Sequence, residues 1–186
     1  GVTNHGTAVA EIIYDVAPGA TMYLAAIGTD VELGNAVNCL IGQGVHVINH
    51  SVTWMYHAPG NGAGVINGIV NAAVAAGIFW ANAAGNYATT HWRGTGWVDN
   101  DGDNWYNWAS NDEGNTIYAV AGEWVGAGLR WDDPWGASCN DYDLYLVNSS
   151  TRTIVASSRN VQSCSQDPVE VLSFVVSATG NYYLAI

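Results

Sequence analysis

Halfway along this chain the apolar residues change their spacing, and that change limits the folds open to it. Through residues 1–88, helical stripes alternate with short, almost continuous apolar runs. Residues 6–14 put Val9, Ile12 and Ile13 at helical spacing, and Pro18 stops the run. Residues 21–27 (TMYLAAI) are short, apolar and strand-like. Asp30 suits the N-cap of a helix reaching about Gln43, with Val31, Leu33, Ala36, Val37, Leu40 and Ile41 as its buried stripe. A strand is expected over 45–49, a helix over 64–76 closed by Gly77, and a strand over 78–83. That order predicts a parallel sheet flanked by helices, joined by right-handed crossovers. Residues 87–114 lose all periodicity. Beyond them only β signals remain, over 116–124, 142–147, 153–157, 169–176 and 181–186, which predicts an antiparallel β-sandwich. The expected class is therefore α/β: a partial parallel sheet over 1–88, a connector over 89–114, and a jelly-roll-like sandwich over 115–186.

Charge narrows the partners. The 186 residues carry sixteen acids, four arginines and no lysine, a net charge of −12. Four of the acids fall in residues 1–98 and twelve in 99–186, a shift that marks two parts. A polyanion surface needs clustered Lys and Arg, so neither nucleic acid nor an anionic membrane is an expected partner. No signal peptide is visible, and no apolar run is long enough to span a membrane. Cys39 sits in an apolar helical stretch and is expected to be a buried thiol. Cys139 and Cys164 are candidates for a disulfide, which would indicate an oxidising compartment. The chain opens on Gly-Val-Thr-Asn-His and stops inside an apolar run, so both ends are expected to be cut.

Three segments carry candidate chemistry. In Asn4-His5-Gly6-Thr7-Ala8-Val9-Ala10 a histidine stands at a helix start, a rigid mount for a general base. In Val45-His-Val-Ile-Asn49-His-Ser51 a buried strand runs into small polar residues, where open α/β sheets place ligands. In Ala83-Ala84-Gly85-Asn86 small residues let a peptide approach the backbone, and the Asn86 amide is a candidate oxyanion donor. Each segment taken singly also fits a bland reading: a helix-start residue, a core strand, a turn asparagine.

Taken in order, these blocks resemble the subtilisin-like serine proteases. His-Gly-Thr-x-Val-Ala, Ala17-Pro18-Gly-Ala, Val47-Ile48-Asn49-His-Ser51 and Ala75-Ala76-Gly77 leading to Ala84-Gly85-Asn86 match over a little under half the chain. The resemblance implies that His5 is the general base and Asn86 the oxyanion amide. It makes Ser51, Val52 and Thr53, with Ala83, Ala84 and Gly85, the edges that flank a bound peptide and wall its main specificity pocket. The catalytic aspartate would lie upstream of His5. The serine would lie downstream in a Gly-Thr-Ser-x-Ala segment, and no such segment occurs here. The short stretch between His5 and Pro18 omits a calcium-binding loop of many relatives. Thr53 replaces a usual glycine, and Tyr87 a residue that is often acidic or small.

Residues from about 115 onward resemble the β-sandwich modules (pre-peptidase C-terminal-like domains) attached to or inserted in such proteases, through Trp131-Asp-Asp-Pro-Trp135 and Asn140-Asp-Tyr-Asp143-Leu-Tyr-Leu146. Asp99, Asp101 and Asp103 alternate as calcium ligands can, with a solvated acidic turn as the other reading. The resemblance thus implies a secreted serine endopeptidase acting on peptides or proteins with no cofactor needed for chemistry, and calcium only as a structural ion. The 186 residues by themselves are expected to be inactive. The alternative is a binding module, a degenerate protease scaffold whose Trp-rich, acidic sandwich takes glycan or protein.

Overall fold

The computed structural model describes residues 4–186. The chain divides into two units, Gly1–Ala88 and Thr89–Ile186, with helices in the first and antiparallel sheets in the second.

The first unit is built from α1 (His5–Val16), α2 (Asp30–Gly42), β1 (Val47–His50), α3 (Val65–Ala75) and β2 (Phe79–Asn82). β1 and β2 pair in parallel, Val47 opposite Phe79 through His50 opposite Asn82. Leu33 and Val37 of α2, Ala73 of α3, Ile48 of β1 and Ile78 form the buried core. Leu33 and Val37 lie one turn apart, which is why α2 turns that stripe inward. Burying each such side chain contributes about 1.5–3 kcal/mol. The other face of the strand pair shows Val47 and Phe79 to solvent.

Three expectations are corrected here. Residues 21–27 form no strand; only Ile27 reaches the core, and the rest are exposed. The N-cap of α2 is Thr29 rather than Asp30. The Thr29 hydroxyl accepts the Glu32 N–H at 3.2 Å while the Glu32 carboxylate accepts the Thr29 N–H at 3.0 Å, a reciprocal capping box. Cys39 is exposed, because it lies two residues, about 200° around the helix, from the buried Val37.

In the second unit, β3 (Asn115–Ala119), β8 (Gly180–Ala185), β5 (Leu144–Asn148) and β6 (Thr153–Ser158) form a four-stranded antiparallel sheet in that order. β4 (Trp124–Arg130) and β7 (Val169–Val175) form a separate antiparallel pair. No closed barrel results. Leu144, Leu146 and Tyr182 from the larger sheet share one core with Leu172 from the smaller. The strand expected over 116–124 is instead the end of β3, a turn closed by the Glu123 N–H on the Val120 carbonyl at 2.9 Å, and the start of β4. Residues 89–114, expected as a connector, belong to this unit, and Trp97, Tyr106 and Trp108 pack on its core. Cys139 and Cys164 are disulfide-bonded. Among the described residues no helix is long and apolar enough to cross a membrane.

Candidate active site

The parallel pairing of β1 and β2 decides where the candidate residues go. Both strands run the same way, so the segments leaving them emerge side by side. The Ala83 N–H donates to the His50 carbonyl at 3.1 Å, carrying the pairing one step past the last strand residues. Beyond that point Ser51, Val52 and Thr53 leave β1, and Ala83, Ala84 and Gly85 leave β2.

The two segments stay close as they leave. Gly85 has φ +88°, a left-handed backbone that favours glycine. A β-carbon placed there would stand 3.2 Å from the Thr53 hydroxyl and 3.1 Å from the Tyr87 ring. Thr53 and Tyr87, the two departures from the protease pattern, therefore both crowd the same glycine. Asn86 follows directly and is exposed.

His5 opens α1 and reaches the same rim. Its Nε2 lies 2.9 Å from the Ser51 carbonyl oxygen. A carbonyl only accepts, so Nε2 carries the proton and donates. The Asn49 amide donates to the Ser51 hydroxyl at 3.0 Å, which orients that side chain along its own strand end. His5, the 51–53 segment and the 83–85 segment thus lie at one end of the strand pair, with Asn86 next in sequence.

A further network at this rim gave no sequence signal. His50 is only 5% exposed. Its Nδ1 bonds Asn82 Oδ1 at 2.6 Å, and its Nε2 accepts the Trp54 indole N–H at 3.1 Å. The Trp80 indole also donates to Asn82 Oδ1, at 3.2 Å. A histidine on one strand and an asparagine on another become partners only once their register is known.

The acidic loop lies in the other unit and is described by itself. Asp99, Asp101 and Asp103 are exposed, and each offers one oxygen within 4.8 Å of the others. Asp99 accepts the backbone N–H groups of Gly102 at 2.7 Å, Asn104 at 2.9 Å and Asp103 at 3.3 Å. These donors, that of Asn104 foremost, hold its carboxyl below the usual carboxylate range. The loop is closed by its own backbone. Trp92, Trp97 and Trp108 stand edge-on to one another, with ring centres 4.5–4.9 Å apart. Trp92 keeps 45% of its surface exposed.

Comparison with protein-family models, curated proteins and solved structures finds no match for this chain.

Proposed function

We propose that the first unit carries the histidine and oxyanion part of a secreted serine endopeptidase of the subtilisin-like type. The observation that supports this best is the bond between His5 and the Ser51 carbonyl, because it ties the candidate base to the candidate substrate edge. In acyl transfer the base must take the nucleophile's proton on Nε2 while a carboxylate holds the proton on Nδ1. Here Nε2 is spent on Ser51, so the ring rests in the opposite tautomer. An aspartate placed against Nδ1 would shift that proton and free Nε2 for a serine hydroxyl. The Asn86 amide would then donate to the oxyanion of the tetrahedral intermediate. An extended peptide would lie along the 51–53 and 83–85 edges, which would wall the pocket for one of its side chains.

The parallel pair is covered by helices on one face only, with Phe79 67% exposed on the other. Parallel sheets are ordinarily covered on both, so this suits one layer of a larger subtilisin-like sheet. The second unit fits the role of an appended jelly-roll-like module. Its disulfide is compatible with an extracellular setting. Calcium at Asp99, Asp101 and Asp103 would enter this reading only as a structural ion held by those carboxylates.

The test is genetic and kinetic. The reading requires a coding sequence that supplies an aspartate upstream and a Gly-Thr-Ser-x-Ala segment downstream. In that longer chain Asn86→Ala should lower kcat about a hundred- to a thousandfold with little change in KM. A coding sequence lacking both segments, or an unchanged kcat, overturns it.

A further inference from the structure

His50 and Asn82 are the last residues of β1 and β2, and they stand directly opposite each other in the register. They occupy the point where the two candidate substrate edges leave the strand pair. The Trp54 indole nitrogen can only donate, so His50 Nε2 accepts and Nδ1 holds the ring proton. Nδ1–H therefore donates to Asn82 Oδ1 at 2.6 Å. With its oxygen held by His50 and Trp80, the Asn82 amide turns its NH2 onto the Ala83 carbonyl at 2.7 Å. One network thus grips both edges: Trp54, three residues past Ser51, is drawn back onto β1, and Ala83 is fixed where it leaves β2.

We infer that His50 and Asn82 are positioning residues that set the spacing between the 51–53 and 83–85 edges, and with it the size of peptide side chain the cleft accepts. The inference rests on the peptidase reading of these edges. The backbone bond from Ala83 to His50 joins the two strand ends without regard to side chain. The His50–Asn82 bond adds a second tie whose length depends on those two residues. Losing it lets the edges move apart, and a gap of changed width discriminates differently between small and large side chains.

The test uses the full 186-residue chain and two probes, an acetylated tetra-alanine peptide with a free carboxylate and its counterpart ending in phenylalanine. Dissociation constants for both are measured by calorimetry in the native chain, His50→Leu, Asn82→Ala and His50→Asn. Leucine keeps apolar volume at the buried position, and Asn82 is exposed, so the Asn82→Ala variant keeps the test valid if His50→Leu fails to fold. The expected result is a change of about tenfold in the ratio of the two constants for His50→Leu and Asn82→Ala, the low end of what an altered fit of one apolar side chain gives. Asparagine at position 50 carries an N–H near the place of Nδ1, so His50→Asn should return the ratio toward the native value. Folded variants that keep the native ratio overturn the inference while leaving the peptidase reading intact. A native chain that binds neither peptide overturns the peptidase reading, and the inference with it.

Discussion

Glu170 has 0% of its surface exposed, although it lies on a strand. Its carboxylate is satisfied by neutral donors: the Ser158 hydroxyl, the Asn160 backbone N–H at 2.8 Å, the Asn160 amide at 2.9 Å and the Gln162 amide at 2.9 Å. These four donors fill the acceptor sites of the carboxylate. Glu170→Gln turns an NH2 toward groups that already donate. That change should cost about 3 kcal/mol, the scale of lost charge-assisted bonds in a buried site, measured as a lower urea midpoint. Asp133 works similarly nearer the surface. The Asn140 backbone N–H foremost, then the Asn140 amide, the Ser138 hydroxyl and the Cys139 N–H, lower its pKa from 3.8 to about 2. A carboxyl held lower in the folded state stabilises fully above its unfolded pKa. Its contribution fades as pH falls from about 4 toward 2. The urea midpoint should therefore fall less steeply across that window in Asp133→Asn than in the native chain. Equal slopes would remove Asp133 from the account.

At the scale of elements, legibility followed local signals. Helices α2 and α3 and strands β5 to β8 were visible because their apolar period or their turns lie within a few residues. β4 was not visible past Trp124. Glycine is poor in strands, and this one holds Gly126 and Gly128. The structure explains its survival in part: the Trp124 ring lies over Gly126, where a β-carbon would stand 2.3 Å from it. The strand expected over 21–27 failed for the converse reason, since an apolar run needs a neighbour to pair with and this one has none among the described strands. The disulfide was legible only as a candidate pair. Cys139 and Cys164 flank the bridge between Ser138 and Gln166, with the Cys164 N–H donating to the Ser138 carbonyl at 2.7 Å. The crosslink closes a loop with a sequence separation of 25, worth about 3.5 kcal/mol by chain entropy. Reduction, or the double change Cys139→Ser and Cys164→Ser, should lower the thermal midpoint of the second unit. An unchanged midpoint would show that the surrounding bonds hold the loop unaided.

For the whole molecule, the sequence motifs and the fold converge on one edge of one strand pair. Motif order pointed to His5, Ser51 and the 83–86 run without stating how they meet. The meeting depends on the parallel register of β1 and β2, which joins residues more than thirty positions apart and leaves no mark in either segment alone. The same register creates the His50–Asn82 tie and sets Thr53 against Gly85. The second unit, with twelve of the sixteen acids in the stretch 99–186, keeps the overall field negative. The account stands on His5 and Asn86 facing one ligand. Labelled chain titrated with the acetylated tetra-alanine carboxylate, followed by NMR at the His5 ring and the Asn86 side-chain amide, tests this directly. Both signals should shift together along one binding curve. Shifts at only one of them, or at neither while the peptide binds elsewhere, would contradict the account.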